Sequence, residues 1–153
     1  MVAESFNETF SVGRPVEEAW DVLVDVARVS GWVSVVDDVT EHEHLSRYSA
    51  VLEDRLGPFK LKADLDVEVT SVEAPSKIVI RADGEDRQVG SRITIGATLA
   101  LEEVEGGCRV MIEGQYEVTG RIATMGASTI RHKADAILEE FMEAAKRDLG
   151  DVA

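Results

Sequence analysis

The chain has 153 residues, the length of one domain with a core of ordinary size. Lys plus Arg number 16 against 30 Asp plus Glu, and the formal charge of −14 repels nucleic-acid backbones and anionic lipid alike. Its one cysteine, Cys108, excludes a disulfide framework and suits a reducing cytosol.

The opening Met1-Val2-Ala3-Glu4 lacks the basic stretch and apolar run of a signal peptide. No run approaches the ~18 apolar residues of a membrane span. A cytoplasmic location is expected. The acid excess either keeps a small domain soluble or steers it toward a basic partner protein.

Residues 4–12 predict a strand, with Phe6, Phe10 and Val12 on one face and Asn7, Thr9 and Ser11 on the other. Glu8 falls on the apolar face, either close to a strand end that reaches water or as a polar group inside a pocket. After Gly13-Arg14, Pro15 suits the first helical position, where its missing N–H costs nothing. Glu17 and Glu18 complement the positive end of that helix. Val16, Ala19, Trp20, Leu23 and Val24 form its buried stripe, and it ends near Asp25. Another turn or two runs to about Ser30. Trp32 follows in a loop, either wedged into the core or held as a binding platform.

From Val35 onward strands dominate, beginning with 36–44 and 46–56. His42 and His44 share a strand face, but a metal site needs a third and fourth ligand and no spacing supplies them. No metal is expected. Leu56-Gly57-Pro58-Phe59 reads as a turn. Phe59, Leu61, Ala63, Leu65, Val67 and Val69 then alternate with charged and polar residues, the pattern of an antiparallel sheet with one wet and one dry face. Residues 77–82 carry Ile78 and Ile80 on the dry side, and 83–90 predict a polar loop. Ile93, Ile95, Ala97, Leu99 and Leu101 form the next dry face. Gly106-Gly107 marks a hairpin, and Val110, Ile112, Gly114, Tyr116 and Val118 continue on its far side.

The last run, from Thr119, predicts a long amphipathic helix. Ile130, Ala134, Ile137, Phe141 and Ala145 recur at spacings of three or four, and Leu138 and Met142 widen the stripe. Arg131, Lys133, Asp135, Glu139, Glu140, Lys146 and Asp148 fall outside it and should meet water. At ~1.5 Å per residue the helix would span roughly 40 Å. Gly126 falls in its first turns. It either lets the helix lie close on the sheet or weakens a segment, Ile122 to Thr129, that lifts as a gate beside the adaptable Met125.

The predicted order is strand, two short helices, about six strands, one long helix. This is an α+β fold, a curved antiparallel sheet of six to seven strands gripping the last helix. Ala63, Ala97 and Gly114 leave part of the gripped space unfilled, so an apolar cavity and a fully packed core are the two outcomes. The inward groups are almost all apolar, with Tyr48, Tyr116 and Glu8 the polar exceptions. Catalysis would ask for an acid–base pair facing that space. A binding module fits better, with an adaptor acting through its acidic surface as a further reading.

Several stretches resemble the G-subunit family of carbon monoxide dehydrogenase, within the START-like (SRPBCC, helix-grip) superfamily. They are Phe10 to Asp25, Leu56-Gly57-Pro58-Phe59, Thr98-Leu99-Ala100-Leu101 with Gly106-Gly107, and Gly120-Arg121-Ile122-Ala123-Thr124-Met125-Gly126. The resemblance covers almost the whole chain. It implies a non-enzymatic accessory protein of a molybdenum hydroxylase such as aerobic carbon monoxide dehydrogenase. It also implies a lipophilic ligand, quinone-like or lipid-like, with no covalent cofactor. Some relatives with this fold are cyclases or dehydratases, which is the alternative activity. Where family members often show a Cys-Ile-Pro-Gly-type stretch, this chain has Gly31-Trp32-Val33-Ser34-Val35-Val36. Many also carry a C-terminal hydrophobic anchor that this sequence lacks, so at most peripheral membrane association is expected. The expected ligand contacts are Trp32, Tyr48, Leu52, Phe59, Leu61, Ala63, Leu65, Ile80, Ile95, Ala97, Leu99, Ile112, Gly114, Tyr116, Ile122, Met125, Gly126 and Ile130.

Overall fold

Strict alternation of apolar and polar residues builds the sheet, and hairpin turns fix its register. The computed structural model describes residues 1–151. Strand β1 (Val2–Val12) leads into α1 (Val16–Leu23) and α2 (Val26–Ser30). Six strands follow: β2 (Val36–Glu43), β3 (Arg47–Leu56), β4 (Phe59–Glu73), β5 (Lys77–Asp86), β6 (Ser91–Val104) and β7 (Gly107–Gly120). A 3-10 turn (Ile122–Met125) precedes α3 (Ala127–Leu149). The seven strands form one antiparallel sheet in the order β1-β7-β6-β5-β4-β3-β2, so the meander returns to pair with the strand that began the chain. With α3 on the inner face, this is the helix-grip fold.

Two expectations about the backbone need correction. Residues 83–86 are strand and not loop, paired with β4 at 64–66 and with β6 from Ser91 to Thr94. Their polar side chains are accommodated because Asp83 faces outward, accepting from Thr94 Oγ1 at 2.9 Å and Arg81 Nε at 3.2 Å. Asp86 is buried, and its carboxylate accepts from the backbone N–H groups of Lys62 (2.7 Å), Gln88 (2.9 Å) and Val89 (3.0 Å), closing the turn to β6. Burial pushes the Asp86 carboxyl up, but these three donors more than offset it and hold it below the usual carboxylate value.

The second correction concerns Gly126. It does not lie inside a helix but separates the 3-10 turn from α3, at φ 90° and ψ 154°. That region of backbone space is essentially reserved for glycine. Close packing is not its reason, because a Cβ there would meet nothing within 4 Å.

The core divides into two buried clusters. One joins Phe10, Val12, Trp20, Leu101, Val110, Ala145 and Leu149. The other joins Val2, Leu56, Leu61, Ala63, Ile93, Val118, Ile122 and Ile130. Each large apolar side chain among them contributes about 1.5–3 kcal/mol through removal from water. Phe6 packs against both clusters. Its ring lies over Gly114, where β7 passes so close to β6 that a Cβ would sit 2.1 Å from the Gly96 carbonyl oxygen.

Helix α3 is fixed at its ends and along both flanks. Asp148 pairs with Arg28 of α2. Glu140 accepts from the Ser34 N–H at 2.5 Å and its hydroxyl at 3.0 Å. Lys133 Nζ lies 3.3 Å from Asp54 of β3, and Arg131 lies 3.9 Å from Glu4 of β1. Lys133, Glu140 and Asp148 were expected in open water; all three are half-buried because each reaches a partner on a neighbouring element.

Candidate functional site

Strand register decides which inner-face side chains meet. Phe6, Gly114, Ala97 and Ile80 form the central row. Glu4, Tyr116, Ile95, Ala82, Val67 and Tyr48 form the row on one side. Glu8, Ile112, Leu99 and Ile78 form the row on the other.

Burial along these rows is uneven. Leu52, Val67, Val69, Ile78, Ile80, Ile95, Ala97 and Leu99 are only half-buried, although all are apolar and face inward. The middle of α3 matches them: Ala134, Ile137, Leu138, Phe141 and Met142 are half-buried, whereas Ile130, Ala144, Ala145 and Leu149 at its ends are buried. Apolar faces in full contact would bury both partners. The helix is thus buried on the sheet at its two ends, while the apolar residues of its middle stay half-buried even where Ala134, Leu138, Phe141 and Met142 pack against the two clusters.

The expected contacts divide accordingly. Ile80 and Ala97 are half-buried between the two clusters, with Leu52 and Ile95 packed against the one nearer the 3-10 turn and Leu99 against the other. Leu61, Ala63, Leu65, Ile122 and Ile130 are buried at the end nearer the 3-10 turn, with Phe59 half-buried against them. Ile112 is buried in the opposite cluster. Trp32 meets the edge of Phe141 at 5.5 Å, and Phe141 meets Phe10 at 6.5 Å, so an aromatic chain closes that end. Met125 lies against the Gly57 turn, beside Gly126. Tyr48 is buried but directs its hydroxyl to the β2–β3 turn, accepting from the Leu45 N–H at 2.8 Å. Burial pushes its phenol pKa up.

A pocket of about 210 Å³ opens at the seam between β1 and α3. It is lined by Ser5, Phe6, Asn7, Glu8, Tyr116, Arg131, Ala134 and Asp135. Glu8 thus combines both of its sequence readings, half-exposed and lining a pocket. Burial raises the Tyr116 phenol pKa, with Glu4 and Asp135 adding to the effect and Arg131 opposing it. A broader groove of about 460 Å³ crosses β1, β7, β6 and β5. Ser5, Asn7, Val79, Gly96, Thr98, Glu113 and Gln115 dominate its lining, and all belong to the outward rows.

Sequence reasoning did not single out Arg131, Asp135 or Asp86 for a site or a buried role. Arg131 and Asp135 are four apart at the border of the apolar stripe, which is the available signal. His42 Nε2 lies 2.9 Å from Ser49 Oγ, and His44 Nδ1 lies 2.7 Å from Glu41 Oε1. Among the described residues no group of three or more His, Cys, Asp or Glu is placed to hold a metal. The buried Cys108 thiol has its pKa raised by burial, the opposite of what a nucleophile needs.

Residues 9–150 match the family described as the carbon monoxide dehydrogenase G-subunit (CoxG). The chain belongs to the CoxG family. No curated protein gives a significant match. A conserved protein from Geobacillus kaustophilus is similar in structure, with TM-score 0.82, 20% identity and 95% of each chain covered. A START superfamily protein from Mycobacterium smegmatis aligns with TM-score 0.74 and 10% identity over 95% of this chain and 96% of that chain. The di-domain ARO/CYC StfQ from the steffimycin biosynthetic pathway aligns with TM-score 0.67 and 9% identity, over 97% of this chain and 51% of that one. At these identities the likenesses show the fold that this CoxG-family chain shares with START-like proteins. Among the described residues no helix is long and apolar enough to cross a membrane.

Proposed function

We propose that this CoxG-family chain binds a lipophilic small molecule, quinone-like or lipid-like, between α3 and the sheet without converting it. The single observation that carries the reading is the pair of half-buried apolar faces in the middle of a grip whose ends are buried. Such a space, apolar and edged by a few polar groups, suits an apolar ligand. The family's name supports a partner as well, a molybdenum hydroxylase such as carbon monoxide dehydrogenase, served from the cytoplasm or the inner membrane surface. Cyclase chemistry on the same fold has weaker support, since the central and flanking rows between β4 and β6 carry apolar side chains only.

The test is organic extraction of natively purified protein followed by mass spectrometry, with equilibrium dialysis of methylnaphthalene against the extracted protein. The expected result is a copurifying apolar molecule, or saturable binding of the probe to the emptied protein. No copurifying molecule together with no saturable binding would overturn the reading.

A further inference from the structure

We propose that the β1–α3 seam is a polar subsite for one end of that ligand, where the Tyr116 hydroxyl donates a hydrogen bond to a ligand oxygen of carbonyl type; this rests on the binding reading above. Tyr116 is 9% exposed, and its hydroxyl is the one buried side-chain oxygen or nitrogen among the described residues without a hydrogen-bond partner. Buried polar groups are nearly always satisfied, so an orphan points to a missing partner. Tyr116 lines the seam pocket together with Arg131 and Asp135 of α3.

The chemistry of the missing partner follows from the groups already present. Glu8, Asp135 and Asn7 supply acceptors around the pocket; the Arg131 guanidinium is exposed and faces Glu4 at 3.9 Å, so the buried donor left without a partner is the Tyr116 hydroxyl. Burial and the neighbouring carboxylates keep the phenol protonated, so its proton is available. A carbonyl oxygen accepts without bringing donors of its own. Phe6 and Ala134 give the pocket an apolar wall. Phe6 also lies over Gly114 beside Ala97, so its ring borders both the seam and the half-buried middle of the sheet. A ligand with an apolar body and an oxygen at one end can then place its body in the middle and its oxygen at the seam.

The experiment compares menadione with methylnaphthalene, the same carbon frame without the oxygens, by equilibrium dialysis on wild-type protein and Tyr116→Phe. The variant keeps the ring and removes only an unpartnered hydroxyl, so its thermal stability should not fall. The expected result is that menadione binding weakens about 3- to 10-fold in Tyr116→Phe, the worth of one neutral hydrogen bond, while methylnaphthalene binding is unchanged. Binding of both probes with no effect of the substitution overturns the subsite and leaves the apolar cavity standing. Absence of saturable binding of either probe to the wild type overturns the cavity reading and the subsite together.

Discussion

Ala97→Phe reads the space between helix and sheet directly. Ala97 is half-buried in the central row, flanked across the strands by Gly114 and Ile80. A phenylalanine there adds roughly 100 Å² of apolar side-chain surface, given the 150–250 Å² that aromatic side chains bury. If about half of that increment leaves water as the ring enters the half-buried middle, burial contributes about 1 kcal/mol in favour of folding. In a filled core the same ring would overpack and cost about 1–3 kcal/mol. The sign of the change therefore separates the two structures. Urea unfolding should show stability unchanged or raised by up to about 1 kcal/mol. Equilibrium dialysis should show methylnaphthalene affinity lowered about tenfold or more, because the ring takes the volume the probe needs. A stability loss of about 2 kcal/mol or more with probe affinity unchanged would refute the reasoning.

Gly126→Ala should cost about 1–3 kcal/mol in urea unfolding despite the empty space around it, because φ 90° with ψ 154° strains any L side chain; a neutral result would show that the backbone relaxes there. In the wild type, amide exchange should be faster at 120–125 than at 133–145, and added methylnaphthalene should slow it; equal protection with and without probe would make the 3-10 turn a fixed wall instead of a gate. Asp86 titrates below its ordinary value of 3.8 when folded. Its contribution is therefore complete above that pH and is lost as pH falls through the lower folded value. Asp86→Asn should cost about 1.5–3 kcal/mol near neutrality and flatten the acid limb of a stability-versus-pH curve below about pH 4. Parallel acid limbs for wild type and variant would contradict the role given to its three backbone donors.

The fold was legible because alternation and helical periodicity are local signals. Phe59 to Val69 and Ile93 to Leu101 each declare a dry face without reference to any other strand. The extension of β5 to Asp86 was not legible, since Asp83, Gly84 and Asp86 each look like loop residues alone. They become strand residues only when Thr94 donates to Asp83, Leu65 covers Gly84, and the Lys62, Gln88 and Val89 amides donate to Asp86. Gly126 misled for a related reason: glycine marks both close approach and positive φ, and sequence does not say which.

The candidate site divides along the same physical line. Its apolar half was visible because inward apolar residues can be read strand by strand. Its polar half depends on distant chain segments meeting at one place. Tyr116 comes from β7, Glu8 from β1, and Arg131 with Asp135 from α3, with Glu4 brought beside the phenol by strand pairing. On sequence alone Arg131 and Asp135 are solvent-facing helix residues, and both are exposed in the structure. What changes their meaning is α3 lying closer to β1 than to the other strands, which sets their charges beside a buried phenol. Helix position, not residue type, thus determines that the seam is polar while the space toward β4 and β5 stays apolar. Under the proposed binding mode, an amphipathic ligand would have one favourable direction in the grip, oxygen toward β1 and carbon frame toward Ile80.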